Sequence, residues 1–591
     1  MVEIKELLLT GSLAQAGVLS RVTPRRILEA HLPSEPYRYP ARRNVSGKAD
    51  SCADSKKAGK AEDCGQKFKK QSNNKMEIWK YIEILRQPNN AWFFSKDNNA
   101  EKIDALTKIS NDGYPSLISS LTGFLKDNNE AIRKTTCETI IHLFKKIDNK
   151  KGYYETLKYC DISESDIDFY ETAFLPEQYI ELLAISSLNG NGYVREKAVK
   201  KLSQVGNPRI IQFLIYRLAD WVLPVRQAAI KGIENYKSVD YIDSLIENLP
   251  IFEWLQKVQR TDLSGIYQEI IEFIATTSRV FVMSNFSKYS DKIRLILAKH
   301  ISNSLTNYSA ELKLFLTDKH FLIRSLAVTH FDKLEQSEIN QLLIDKSAKV
   351  RLQTLYCLKD RSGFETIIEN YLADNSASIR HFARFTLKQT NTNFGEFYKQ
   401  NLENDNQVIG SLLGVAEVEA KQFVDTIKVF LGNDKIKVRK TAFLALQKLD
   451  TESAYEFALI NLDCPYFGLR NVIIDFLSVI ARQEILEKAR ECYKTGEYET
   501  KKSMLKLFSK IGGWSTIPDL MIGSIDENEN IRQLVWEYLQ IWRNRATRLF
   551  TTPKQDEIER ARQIFGFVHE IQENKQYFKT NPLNGLDFYF R

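Results

Sequence analysis

Apolar residues in this chain recur three and four positions apart over short stretches, and the stretches come in pairs. Ile210, Ile211, Leu214 and Leu218 mark one stretch, and Leu117, Ile118, Leu121 and Leu125 another. This spacing puts each set on one helical stripe. A polar turn then leads into a second helix. Asn129, Asn191, Ser290, Ser347, Ser376, Asn406 and Asn528 stand where that helix starts, and their side chains suit the unpaired N–H groups of a first turn. Pro115 and Pro208 fall at first helical positions and Gly206 at a helix end, where their backbone preferences fit.

The second helices share a frame. Each carries an Arg, with a β-branched or Leu residue before it and Asp or Asn six positions earlier. The frame reads Asp127/Arg133, Asn189/Arg195, Asp220/Arg226, Asp318/Arg324, Asp345/Arg351, Asp374/Arg380, Asn433/Arg439 and Asp526/Arg532, with Arg294 and Arg470 keeping the step. Three wider gaps fill with weaker copies. Asn404 to Gly410 keeps the frame with Gly for Arg, Lys502 sits midway between Arg470 and Arg532, and the frame near Arg260 is barely visible. A unit near residue 164 has no readable motif. A period of ~31 residues, repeated about 14 times, means stacked helical pairs that bury their apolar stripes against the next pair.

Asp220-Trp-Val-Leu-Pro-Val-Arg226-Gln-Ala-Ala229 and Asp374-Asn-Ser-Ala-Ser-Ile-Arg380-His-Phe-Ala383 resemble the turn and second helix of HEAT repeats, as in bacterial-type HEAT-repeat proteins. The resemblance covers roughly residues 111–550. It departs from the family at most turns, where proline is absent, and at Gly410 and Lys502. It implies an all-α fold, an armadillo-type α-solenoid of about 14 HEAT-like pairs, with Asp and Arg forming ladders between neighbours. The anchors Asp127, Arg133, Arg195, Asp220, Arg226, Arg324, Arg351, Asp374, Arg380, Arg439 and Arg532 are then structural residues.

Composition changes the picture at the ends. Residues 1–75 hold 15 Lys/Arg against 8 Asp/Glu, and the remainder holds 68 against 67. The first 75 residues read as a disordered basic extension. Residues 76–110 read as N-terminal capping helices, 111–550 as the solenoid, and 551–591 as a C-terminal capping helix with an aromatic tail. For Phe588-Tyr589-Phe590 in that tail, end cap, docking motif and added strand are equal readings. Seven scattered cysteines without a C-x-x-C pair fit a reducing, cytoplasmic setting. No run is long and apolar enough to span a bilayer.

Nothing in the chain spells out chemistry. There is no phosphate loop, dinucleotide glycine pattern, nucleophile elbow or metal-ligand spacing, so no catalytic residue, metal or cofactor is expected. Function is sought on the second-helix surface. With the Arg as zero, positions −1, +3, +7 and +10 face the core, and +1, +5 and +8 face away from it. Position +5 is charged early (Glu138, Lys200, Lys231, Lys299), apolar in the middle (Tyr356, Phe385, Val415, Leu444) and mixed later (Asp475, Leu507, Glu537). Leu352 at +1, with Tyr356, Phe385, Val415 and Leu444, forms a candidate docking strip for a protein partner. The leading expectation is a non-enzymatic scaffold with an extended concave surface. The alternative is a nucleic-acid-binding HEAT-like protein of DNA-repair type, for which Lys197, Lys200, Lys201, Lys231 and Lys299 offer a basic stripe. The electrically balanced body disfavours it without excluding it. A lyase-like role on a chromophore protein is a third reading, with no residue to support it.

Overall fold

In a computed structural model the chain divides into two units, 1–79 and 80–591. The structure describes residues 78–89 and 98–590, apart from 148–149, 306–307, 391, 403–406, 481, 547, 549–551 and 579. The expected basic extension 1–75 lies outside the described residues, as do Asn404 and Asn406. The second unit is all-α, with no strand among its described residues.

Its helices pack in one repeating scheme. Each first helix lies against the second helix that follows it, and each second helix lies against the next second helix. Ile211–Leu218 packs on Leu223–Asn235, Gln336–Leu343 on Ala348–Leu358 and Gln483–Thr495 on Tyr498–Ile511. Phe321–Val328, Ala348–Leu358, Ala377–Thr386, Val408–Glu417, Ile436–Leu449, Phe467–Leu477, Tyr498–Ile511 and Glu529–Ala546 form an unbroken sequence of second-helix contacts. Counting from Glu130–Phe144, fourteen second helices are described, including Glu164–Ala173 at the unit without a motif. Ser163 starts that helix with a reciprocal cap to Asp166. The periodic core follows: Ile132, Thr136, Ile140 and Leu143, at −1, +3, +7 and +10, are all fully buried.

The caps are only partly those expected. Asn129, Asn191, Ser290 and Asn528 accept from first-turn N–H groups. Ser347 and Ser376 make no such bond. In those two units, as in the others, the Asp two residues earlier holds the turn: Asp345 and Asp374 each accept the serine's own N–H at 2.7 Å. Gly206 takes the left-handed φ of +68° expected of a helix end.

The scheme breaks near Arg260. The helices Ile242–Glu247, Leu249–Leu255 and Ser264–Glu272 are short, and the last runs into a π-turn, Phe273–Thr277. At the C-terminal end, Gln555–Lys575 packs on Ile517–Gly523. The tail folds back on this helix, burying Leu583, Leu586 and Phe590. Trp542 meets Tyr589, and Trp514 meets Phe590. Arg543 donates to the carbonyls of Pro582 and Asn584 at 2.8 and 2.6 Å. The apolar residues of the tail are thus packed within the chain's own C-terminal helices.

Arginine ladder and candidate docking surface

Each turn into a second helix is built the same way. The Asp or Asn of the frame accepts the N–H two residues on: Asp127 from Asn129 (2.8 Å), Asn189 from Asn191 (2.8 Å), Asp220 from Val222 (2.9 Å) and Asp526 from Asn528 (2.9 Å). The Arg six residues later reaches back to the carbonyl of that same Asp or Asn. Arg133, Arg226, Arg324, Arg351, Arg380 and Arg532 do so at 2.6–2.8 Å, Arg195 does so at 3.0 Å, and Arg439 bonds Asn433 O likewise. One residue pair thus closes a six-residue turn at both ends.

The guanidinium's other edge goes to the next unit. Arg195 holds the Asp220 carboxylate through Nε and Nη2 at 2.9 and 3.0 Å. Arg294 takes Asp318, Arg324 takes Asp345 and Arg351 takes Asp374 in the same two-pronged way. Bidentate pairing of this kind fixes geometry as well as adding energy. Arg133, Arg226 and Arg439 make no such pair: the turn acids of the units near 164 and 260, Asp161 and Asp262, are exposed, Asp262 is bonded to Ser264 instead, and Cys464 stands where the third would be. Arg380 turns instead to Glu417, shared with Arg384 at 2.9 Å.

Two frame positions need correction. Lys501, not Lys502, bonds Asp526 at 2.9 Å, so the unit starts one residue earlier than expected. Met504 and Phe508 then hold the core positions, and Leu507 is fully buried. The same one-residue slip governs Val408–Glu417, where Val408, Leu412 and Ala416 face the core. A single step turns a helix by 100°, and it carries Val415 inward. That helix also packs unusually close. A Cβ on Gly410 would stand 1.8 Å from the carbonyl oxygen of Ala373, and one on Gly414 would stand 2.4 Å from the Tyr398 ring.

The candidate strip is therefore interrupted. Tyr356 is 50% and Phe385 70% exposed. Leu352 and Leu444 are half-buried. Val415 is fully buried and cannot line a surface. Tyr356 also stacks on Phe382, with ring centroids 4.3 Å apart.

A second exposed apolar series lies at the turns and helix starts two to five residues before four of the anchors, Arg195, Arg226, Arg324 and Arg470. It comprises Tyr193 and Trp221, both above 70% exposed, with Leu223, Phe321, Tyr466 and Phe467. Two of these rings lie beside the ladder, Trp221 at 5.9 Å from the Arg195 guanidinium and Tyr466 at 5.9 Å from that of Arg439. Core periodicity is silent about turns, so these residues were not singled out. Their signal is positional, large apolar residues recurring two to five positions before an anchor.

The lysine stripe is largely neutralised. Lys197 pairs with Asp168 and Lys201 with Glu171, both across to the preceding unit, and Lys200 pairs with Glu196. Among the described residues no cluster of His, Cys, Asp and Glu could hold a metal, and no helix is long and apolar enough to cross a membrane. Burial pushes the thiols of Cys137 and Cys160 up to about 12, which suppresses the reactive thiolate. His300 bonds Tyr267 Oη at 2.8 Å and is held below its usual range by burial.

The fold and ladder define an all-α solenoid of HEAT-like helical pairs. No family model matches the chain. Autophagy-related protein 11 of Vanderwaltozyma polyspora is 22% identical over 277 residues, 41% of this chain and 22% of the relative, so the chain spans about a fifth of that protein's length. Among solved structures, yeast importin-β (Kap95p) aligns over 85% of this chain and 64% of its own at 11% identity and a TM-score of 0.31. Kap121p bound to Ste12p aligns over 86% and 64% at 9% identity and a TM-score of 0.30. Likenesses this slight carry no weight beside the packing itself.

Proposed function

We propose that the chain is a non-enzymatic scaffold whose helical stack presents an extended surface to a protein partner in a reducing compartment. The observation behind this reading is the division of labour between polar and apolar groups. The recurrent charged residues are spent on internal links, while large apolar residues stay exposed, Tyr356 and Phe385 within second helices, Phe321 and Phe467 at second-helix starts and Trp221 on a turn. A few such anchors within a broad contact supply most of the affinity in protein interfaces. Leu352 and Leu444 extend the strip, and Val415 drops out of it.

The reading is tested by capture of a stoichiometric partner from the native source, followed by Tyr356→Ala/Phe385→Ala and Phe321→Ala/Phe467→Ala variants. A hot-spot role predicts at least tenfold weaker binding for one pair with unchanged melting. Unchanged affinity in both would remove both surfaces from consideration. The neutralised lysine stripe predicts weak, non-saturating association with duplex DNA at physiological salt. Tight binding that falls steeply with salt would instead establish the nucleic-acid alternative.

A further inference from the structure

Between the turns at 189–190 and 219–221 and the segment 254–260 lies a cavity of about 820 Å³. Its wall carries four cationic side chains, Arg195, Arg217, Lys257 and Arg260, against a single carboxylate, Asp220. The excess is three positive charges, and the one acid is already fully engaged. Asp220 accepts from Arg195 Nε and Nη2, from Arg217 Nη1 at 2.9 Å and from the Val222 N–H. Four acceptances fill a carboxylate.

Arg217 is the informative residue. It lies in Ile211–Leu218, only 8% exposed, and its Nε–H has no acceptor. Burial pulls this guanidinium down to about 10, against the pull of Asp220 in the other direction. A buried donor on a cation without an acceptor is a strong demand for an anion. Lys257 and Arg260 are exposed, and no ion pair to either is found among the described residues. The rest of the wall is aromatic. Trp221 is 72% and Tyr154 56% exposed, and Trp254 stands beside them.

We propose that this cavity binds a phosphate monoester carried on an aromatic ring. A phosphate monoester brings close to two negative charges and three acceptor oxygens, which meets three uncompensated cations, where one carboxylate would meet one. The ring has Trp221 and Trp254 to stack on. The volume is that of a small-ligand site. Two sources offer this chemistry, a mononucleotide and a phosphotyrosyl side chain. The inference goes beyond the scaffold reading and does not depend on it.

The test is calorimetric titration of the full chain with adenosine 5′-monophosphate, with a phosphotyrosine peptide blocked at both ends, and with inorganic phosphate. The expected result is saturable binding of one aromatic phosphate per chain, at least tenfold tighter than inorganic phosphate. The tighter of the two probes identifies the source. Trp221→Ala and the double substitution Lys257→Glu/Arg260→Glu alter exposed side chains outside the core, so their melting is expected to hold while binding weakens tenfold or more. Arg217→Gln is expected to weaken binding further still, read alongside its melting curve. Aromatic phosphates binding no tighter than inorganic phosphate would overturn the proposal, as would wild-type affinity in both surface variants.

Discussion

Replacing Asp220 by Ala removes one carboxylate that ties two helical units together. Its side chain is 2% exposed and Arg195's is 4%. Four hydrogen bonds to the carboxylate disappear, three of them from guanidinium groups. Two guanidiniums then remain buried without a counter-charge. Breaking a buried pair from one side costs about 3–5 kcal/mol, mostly through the partner left behind. About 4 kcal/mol is close to a thousandfold in a local equilibrium. Because repeat arrays open unit by unit, the effect is local rather than global. Hydrogen exchange read by mass spectrometry over 189–235 is the suitable assay, with protection there expected to fall by two to three orders of magnitude. Arg195→Met is expected to do less, because Asp220 keeps Arg217 and the Val222 N–H. Glu452→Ala is the control. Its bidentate bond to Arg482 is geometrically as good, at 2.7 and 2.8 Å, but it lies on the surface, where such pairs contribute about 0–1 kcal/mol. Should Asp220→Ala and Glu452→Ala lose equal protection in their own segments, the ladder is not what ties the units together.

Acid should loosen the array. Burial pushes Asp345 upward, but hydrogen bonds from Arg324 and the Ser347 N–H outweigh it, so its carboxyl sits below the ordinary value. The same balance holds Glu417 down through Arg380 and Arg384, and Asp526 down through the Asn528 N–H and Lys501. A depressed folded pKa adds stability above the unfolded carboxylate range, near pH 4, and that stability is lost as pH falls further; circular-dichroism melts are expected to be flat from pH 7 to 5 and to drop below about pH 4. Gly414→Ala is expected to lower the melting temperature by the equivalent of roughly 1–3 kcal/mol, since its methyl would meet the Tyr398 ring. Gly566→Ala, in the exposed helix Gln555–Lys575 with open space around it, is expected to raise stability by about 0.5–1 kcal/mol. Deleting 581–591 uncovers the face under Leu583, Leu586 and Phe590, a local loss on the order of 5 kcal/mol, seen as earlier melting and dye binding; an unchanged melt would show that the tail is not a cap.

The parts legible in advance are those whose bonds are local. A frame of Asp, six residues and Arg is readable because both of its hydrogen bonds close within one turn, and so Arg133 and Arg532 fall where expected even without a carboxylate ahead of them. The frame was misread where it had no Arg to fix it. Gly410 and Lys502 were each placed one residue late, and since one residue is 100° of helix, the error reversed the faces of Val415 and Leu507. What replaces a missing member of the frame, a Lys one position earlier for an arginine or Glu417 at the far end of its helix for an acid, depends on neighbouring units and is not periodic. The turn residues escaped notice for another reason. A helical stripe identifies what faces the core, while Trp221 and Phe467 are defined by standing outside any helix's apolar face.

The gap in the ladder and the cavity have one origin in the repeat frame. The second helix of the unit near Arg260 starts only at Ser264, where Asp262 accepts the Ser264 N–H at 2.9 Å and also the Ser264 hydroxyl, so Arg260 stands in the turn before the helix rather than at the anchor. Arg226 has no carboxylate partner ahead of it, and it bonds the carbonyls of its own turn, Asp220 and Trp221. The short helices of that unit bring Trp254, Lys257 and Arg260 to the turn edge. An aromatic ring and two cations are thus added beside Arg195 and Arg217, whose only counter-charge is Asp220. In a regular unit the positive groups of one turn are balanced by the acid of the next. Here that compensation fails, and the imbalance is left facing an open cavity rather than sealed inside the stack. A purely structural irregularity would be expected to shed the unmatched charge. The unmatched charge next to stackable rings distinguishes this unit from the motif-free one near 164, where Asp166 and Lys126 pair at 2.8 Å.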